Sequence, residues 1–193
     1  MSQMKRILFL GYSESDSLLV PFLRSTNNFV EMTSEIVDDL SNFDLVLSYG
    51  YKHILKSNVL NTAESTPINL HISYLPFNRG MHPNFWAHFD NTPSGVSIHQ
   101  INSGIDTGPI IFQKKVKFHP SAKTFRQTWA HLKIEIENLF IANYDEIVNH
   151  QYKTFNAEDQ GTFHLASQLP TEFRGWDSEI SEEISRLRKI SAE

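Results

Sequence analysis

The chain of 193 residues contains no cysteine. That absence excludes a disulfide scaffold, thiol catalysis and any cysteine-ligated zinc or iron–sulfur centre. A basic excess is missing too: 17 Lys and Arg face 22 Asp and Glu, a net charge of −5 with His neutral, which is not the charge of a nucleic-acid clamp. There is no long apolar run. The stretch from Ile7 to Leu10 falls far short of the roughly 20 residues of a membrane span. No small-residue cleavage site follows a long apolar region, so no secretory signal is expected. The expectation is a soluble, cytoplasmic protein. No internal repeat or low-complexity segment breaks the chain, and its length suits one domain. Folding at this size hides about 70% of the unfolded surface, so the core needs no staple.

Short apolar runs alternate with helical periodicities. Lys5 to Leu10 ends at Gly11, and a polar turn of Ser13, Ser15 and Asp16 precedes Leu18, Leu19, Phe22 and Leu23 at helical spacing. Asp44 to Ser48 and Pro67 to Ser73 read as strands, with a weaker signal over Phe29 to Val37. Tyr49-Gly50-Tyr51 breaks the first of these, and a short segment from Ile54 to Leu60 follows. A short helix is expected over Asn84 to Asp90 behind Pro83, and strands over Gly95 to Ile101 and Pro109 to Phe118. One long helix is expected from Thr124 to about Asn149, where Phe125, Trp129, Leu132, Ile136 and Phe140 form a core stripe. Ile180, Ile184 and Leu187 mark a short acidic helix near the end. Strands interleaved with helices give the α/β class with substantial parallel pairing. In such sheets ligands bind beyond the carboxyl ends of strands, so the chemistry is expected in the turns after Leu47, His71 and Ile101.

Asn69 and His71 are two apart in a strand, so their side chains leave the same face at its end. A carboxamide and an imidazolium side by side can both donate to a developing oxyanion. Ser73 shares that face. Asp106 lies in a turn flanked by Gly104 and Gly108, where a carboxylate can orient His71 and pair with its charged form. Alone, Asn-Leu-His is a weak signal that a hydrogen-bonded core strand explains better. A serine hydrolase built from Ser73, His71 and Asp106 is the rival chemistry. It lacks the Gly-x-Ser-x-Gly elbow, since Gly11-Tyr12-Ser13-Glu14-Ser15 fails at the last position. His82 and His88, six apart, do not align on one helix face, and no metal site is expected.

The joint arrangement of Asn69-Leu-His71-Ile-Ser73-Tyr-Leu-Pro76, Arg79-Gly80, Gly95-Val-Ser-Ile-His99 and Asp106-Thr-Gly108 resembles the folate-dependent formyltransferase family. That family includes glycinamide ribonucleotide, methionyl-tRNA and sugar N-formyltransferases. The match runs from about Asp44 to Gln113, roughly a third of the chain. It implies a Rossmann-like open twisted sheet with mostly parallel strands and flanking helices. Residues 1–150 would form the catalytic domain, and 151–193 a polar tail with a short amphipathic helix packed on the same domain. The resemblance also implies catalytic roles for Asn69, His71 and Asp106, with Asp106 helping to move a proton from the incoming amine towards the leaving folate nitrogen.

The implied co-substrate is 10-formyltetrahydrofolate. By the same resemblance its pterin lies against Tyr51, His53, Ile54 and Leu55 of one loop and Asn102, Ser103, Gly104 and Ile105 of another. The amine acceptor is expected along Ser73, Pro76, Arg79, Gly80 and Asn84, with Arg79 available to a phosphate or carboxylate. No metal is implied. The implied reaction is formyl transfer to a primary amine of a small molecule, with a nucleotide-linked amino sugar foremost. The alternatives are formyltetrahydrofolate hydrolysis, methionyl-tRNA or glycinamide ribonucleotide formylation, and a non-catalytic folate-binding module. No nucleic-acid or membrane partner is expected, and the oligomeric state, a homodimer included, stays open.

Three features depart from the family. The first turn carries the single glycine Gly11 where members that bind phosphorylated acceptors often have a glycine-rich loop, which argues against phosphate cradling there. Only a little over thirty residues separate the first strand from Asp44, so one strand–helix unit is expected to be missing. The tail after His150 is short and acidic, unlike the basic RNA-contacting domain of the tRNA enzyme.

Overall fold

A computed structural model describes residues 4–191. In chain order its elements are β1 (Arg6–Gly11), α1 (Leu19–Ser25), β2 (Phe29–Thr33), β3 (Leu45–Tyr49), α2 (Ser57–Leu60), β4 (Ile68–His71), β5 (Arg79–Gly80), α3 (Pro83–Phe89), β6 (Gly95–Gln100), β7 (Ile110–Lys115), α4 (Phe125–Ala142), α5 (Tyr144–Val148), β8 (Phe163–His164) and α6 (Ile180–Ile190). The main sheet has the order β2-β1-β3-β4-β6-β7. The first four strands run parallel, β6 is antiparallel to β4, and β7 is antiparallel to β6. This is the mostly parallel α/β sheet that the interleaved signals predict.

Because β2 lies on one side of β1 and β3 on the other, the crevice at the carboxyl ends of β1 and β3 is a topological switch point. Two glycines keep it narrow. A Cβ on Gly11 (φ +117) would stand 2.2 Å from the Tyr49 carbonyl oxygen, and one on Gly50 (φ +70) would strike the Tyr12 ring.

One face of the sheet packs Ile7, Phe9, Leu47 and Leu70 against Leu19 and Leu23 of α1 and Leu132, Ile136 and Phe140 of α4. The opposite face packs Leu8, Leu10 and Val46 on Leu55 and Val59. Each such side chain contributes about 1.5–3 kcal/mol when fully buried, which fixes both helices on one side of the switch point. Thr124 and Gln127 start α4 with a capping box: Thr124 Oγ1 accepts from the Gln127 amide, and Gln127 Oε1 from the Thr124 amide.

Two expectations need correction. The long helix does not run unbroken to Asn149: α4 ends at Ala142, and Asn143 turns its side-chain amide onto the Leu139 carbonyl at 2.8 Å before α5 begins. An asparagine that bonds the backbone competes with helix continuation. The supposedly missing strand–helix unit is half present. Strand β2 pairs with β1 at the sheet edge, and only the return from Thr33 to Leu45 lacks a helix. Leu40 and Val37 on that return pack into the second core, and this holds it against the sheet.

Past α5 the chain comes back to the segment after β4. Strand β8 pairs in parallel with β5, where the Arg79 amide donates to Thr162 O and the Met81 amide to His164 O. Helix α6 lays Ile184 and Leu187 on Phe85 and Trp86 of α3. Its first turn carries Glu182 and Glu183 and its last Arg188 and Lys189, the polarity that suits the helix dipole. Among the described residues no helix is long and apolar enough to cross a membrane.

Candidate active site

Strand β4 delivers Asn69 and His71 to its carboxyl end, and the antiparallel register sets His99 of β6 directly across from Asn69. The β6–β7 register shifts between Ile98 and His99, an irregularity of the kind found beside active sites. The turn after β6 returns Asp106 to the same place, in a left-handed conformation with φ 50. Its Oδ1 accepts from Asn69 Nδ2 at 3.2 Å and lies 3.4 Å from His99 Nε2. Its Oδ2 accepts from the Gly80 amide at 2.9 Å and lies 3.6 Å from His71 Nε2. Burial by itself pushes this carboxyl up. The charge of His71, the hydrogen bond and charge of His99 and the Gly80 amide outweigh burial and hold Asp106 well below the usual carboxylate range.

That carboxylate also fixes the Asn69 amide. Turned over, Asn69 would set its own oxygen against Asp106 Oδ1, acceptor against acceptor. As placed, Nδ2 directs one proton at Asp106 and the other at His99 Nε2, 3.2 Å away. His99 Nδ1 lies 2.8 Å from the Gln100 carbonyl, which only accepts, so Nδ1 carries a proton. The neutral ring then accepts from Asn69 at Nε2, and the charged ring donates from Nε2 to Asp106.

His71 Nε2 donates to the Asn78 carbonyl at 3.3 Å. Asn78 is wholly buried and held from both sides: its Nδ2 donates to Thr92 Oγ1 at 2.8 Å, and its amide to Thr162 Oγ1 at 2.7 Å. Among the described residues, Asn69 Oδ1 and His71 Nδ1 make no hydrogen bond and are left to reactants. Asn78, His82 and Asp106 all adopt positive φ, backbone strain of the kind that collects at functional sites.

The remaining candidates divide. Gly80 is in the cluster through its amide. Ser73 is not: its hydroxyl is buried without a partner among the described residues and its carbonyl accepts from Ser97 Oγ at 2.7 Å, so no bond to His71 supports a serine nucleophile. Pro76 O accepts from the Thr162 amide, and Arg79 directs Nε at Thr162 O, 3.4 Å away. Asn84 is buried in the α3–α4 packing, where its Nδ2 donates to Phe125 O at 2.9 Å. On the folate side, Tyr51 Oη donates to Glu35 O and the His53 ring stands edge-on to Tyr51. Ile54 and Ile105 are exposed, whereas Leu55 is buried in the second core. Asn102 Oδ1 closes its turn by accepting from the Gly104 amide and Thr107 Oγ1, and Ser103 stands exposed between them.

His82 and His88 lie apart from one another, and burial lowers the pKa of both. No group of three His, Cys, Asp or Glu able to hold a metal occurs among the described residues. Sequence reasoning did not single out His99, Asn78 or Thr162. A cavity of about 310 Å³ lies beside α3 and α4, lined by Ile72, His82, Phe85, Trp129 and Trp176 among others, and of the expected acceptor residues it includes Asn84. For His99 a signal existed, since Ser97 and His99 alternate on one face of their strand.

A family model described as formyl transferase matches residues 13–141. The dTDP-4-amino-4,6-dideoxyglucose formyltransferase of Mycobacterium bovis is 28% identical over 135 residues, which cover 70% of this chain and 55% of that protein. The methionyl-tRNA formyltransferase of Thermodesulfovibrio yellowstonii is 33% identical over 103 residues, covering 53% of this chain and 32% of that protein. The chain thus spans about half the length of the first relative and a third of the second. Among solved structures, the formyltransferase PseJ from Anoxybacillus kamchatkensis has a TM-score of 0.84 at 33% identity, covering 94% of this chain and 98% of its own. That structure is a complex with UDP-4,6-dideoxy-4-formamido-L-AltNAc and tetrahydrofolate.

Proposed function

Since this chain belongs to the formyl transferase family, we propose that it is an enzyme moving the formyl group of 10-formyltetrahydrofolate to the primary amine of a nucleotide-linked amino sugar, in the cytoplasm. The observation that carries this reading is the convergence of Asn69, His71 and Asp106 at the carboxyl end of β4. The similarity to PseJ, whose complex holds a formamido sugar nucleotide and tetrahydrofolate, supports the choice of acceptor. Two loops suit a pterin. Tyr51 and Ile101 pack on the same apolar cluster as Leu55, which sets the 51–55 loop beside the 101–105 turn, and each offers one exposed apolar side chain, Ile54 and Ile105.

When bound, 10-formyltetrahydrofolate supplies the one-carbon group. A neutral amine attacks its formyl carbon, a new carbon–nitrogen bond forms, the bond to the folate nitrogen breaks, and the amine's proton passes to that nitrogen. Asn69 Oδ1 accepts an amine N–H and sets the line of attack. His71 donates from Nδ1 to the carbonyl oxygen as charge develops there, while Nε2 stays tied to the Asn78 carbonyl. Asn69 Nδ2 is held between Asp106 and His99, which fixes the Oδ1 that meets the amine. Asp106, 3.6 Å from His71 Nε2, balances the imidazolium and, directly or through water, helps pass the amine's proton to the folate nitrogen.

The test is incubation with 10-formyltetrahydrofolate and a panel of primary amines, read by mass spectrometry. A gain of one formyl group on a nucleotide-linked amino sugar supports the reading. Formate release without an acceptor assigns a hydrolase, and folate binding with neither product assigns a binding module.

A further inference from the structure

Two peptide planes meet at Asn78, and one residue from far along the chain holds both. The Asn78 amide donates to Thr162 Oγ1 at 2.7 Å, and the next amide, that of Arg79, donates to Thr162 O at 3.0 Å. Thr162 Oγ1 turns its own proton to Asn78 Oδ1, 3.1 Å away. With the amides on either side of its Cα fixed, Asn78 is locked in a left-handed conformation, φ 56. A trans peptide sets its N–H and C=O on opposite edges. The Arg79 amide held by Thr162 therefore turns the Asn78 carbonyl the other way, where it meets His71 Nε2 at 3.3 Å. The following plane presents the Gly80 amide to Asp106 Oδ2 at 2.9 Å.

The segment that touches His71 and Asp106 has little else to orient it. Strand β5 is only Arg79–Gly80, and its partner is β8. Gly161 (φ +68) lets the two approach, since a Cβ there would stand 2.0 Å from the Pro76 carbonyl oxygen. The Thr162 amide donates back to Pro76 O at 3.2 Å, and the His164 ring stacks on Trp86 with centroids 3.9 Å apart, which clamps residues 161–164 to α3. Asn78 is wholly buried. A buried amide without an acceptor is costly, so loss of the Thr162 hydroxyl drives the Asn78 peptide to seek another partner, and the carbonyl at His71 moves with it. Thr162 lies beyond residues 13–141, which match the family model.

We propose that Thr162 is a positioning residue for the transfer, supplied by the chain beyond the family segment and acting on His71 through the Asn78 carbonyl. The contact with His71 stands on geometry, whereas its effect on turnover rests on the transfer reading above.

Thr162→Val keeps the shape and the backbone bonds of Thr162 but removes the hydroxyl, and Thr162→Ser keeps the hydroxyl. Thr162→Ala carries the test if Thr162→Val does not fold. The first readout needs no substrate: in protein labelled with 15N-histidine, NMR follows the proton on His71 Nε2, its cross-peak assigned by its loss in His71→Asn. That proton exchanges slowly with solvent in wild type, about tenfold or more faster in Thr162→Val, and near the wild-type rate in Thr162→Ser. The second readout is kinetic. With a sugar nucleotide as acceptor, Thr162→Val lowers kcat about tenfold, as small misplacements of reacting groups do, while tetrahydrofolate affinity is unchanged and Thr162→Ser recovers most of the rate. Equal exchange at His71 in wild type and Thr162→Val, or a wild-type proton that exchanges too fast to be seen, overturns the contact even if the melting temperature falls. Wild-type kcat in Thr162→Val overturns the positioning role and leaves Thr162 a structural bond. Thr162-dependent exchange at His71 with no amine formylated by wild type upholds the contact and overturns the transfer reaction instead.

Discussion

Replacing Asp106 by Asn separates its charge from its place in the turn. In the wild-type chain Oδ1 accepts from Asn69 Nδ2 and Oδ2 from the Gly80 amide, with His99 and His71 at 3.4 and 3.6 Å. An amide in the same place can keep only one of the two bonds. If its oxygen takes the Gly80 amide, its NH2 meets the NH2 of Asn69, donor against donor. A hydrogen bond to a charged group is worth about 1.5–3 kcal/mol, and part of that loss is offset because a neutral amide is cheaper to bury than a carboxylate. The net cost is about 1–2 kcal/mol, which at this chain length lowers the melting temperature by about 2–8 °C. The loss in turnover is larger. Without the carboxylate nothing balances the imidazolium, and a defect of about a hundredfold or more is expected, as for other electrostatic stabilisers of a developing oxyanion. Differential scanning fluorimetry and a mass-spectrometric rate assay with saturating donor read the two effects separately. Near wild-type turnover with a large fall in melting temperature would refute the argument and make Asp106 a turn residue only.

Asn69→Ala and His71→Ala should each lower turnover by about a hundredfold or more while remaining folded; wild-type rates in either sink the corresponding role. Tetrahydrofolate should raise the melting temperature, by an amount equivalent to about 2.7 kcal/mol at a hundred times its dissociation constant. Ile54→Asp, at an exposed position, should abolish that shift without lowering the basal melting point. Because the folded-state pKa of Asp106 is depressed, its stabilising contribution is complete above the unfolded value near pH 4 and is lost as pH falls towards the folded value. The stability gap between wild type and Asp106→Asn should therefore narrow on acidification below about pH 4, and a gap independent of pH would contradict the assignment. His99→Phe should lower kcat while His99→Gln, which still offers Asn69 an acceptor, recovers part of it; equal losses in both would make His99 a packing residue.

Strands β1, β3, β4, β6 and β7 were legible because each carries its own local signal, an apolar run bounded by glycine or proline. Helix α4 was legible from its stripe, but its end was not, since Asn143 breaks the helix through a side-chain bond that a 3.6-residue period does not register. Strand β2, with Phe29 half exposed at the edge of the sheet, buries too little to announce itself. Thr162 supports Asn78 from 84 residues away, and no pattern along the chain records such a contact.

Within the site, legibility follows the reach of the β-ladder. Asn69 and His71 lie inside β4, where alternation holds and their shared face could be read directly. Ser97 and His99 alternate in the same way on β6, but the sequence does not state that His99 stands across from Asn69; that depends on the antiparallel register. Ser73 shows the opposite failure. It continues the alternation of Asn69 and His71 on paper, yet β4 ends at His71, and beyond it the backbone is set by its own contacts, with Ser97 Oγ donating to the Ser73 carbonyl and accepting from the Leu75 amide. A period of two describes a strand only while a neighbour holds it extended. Asn69, His71 and His99 sit where that condition is met, and Asp106 reaches them from a turn through its own hydrogen bonds.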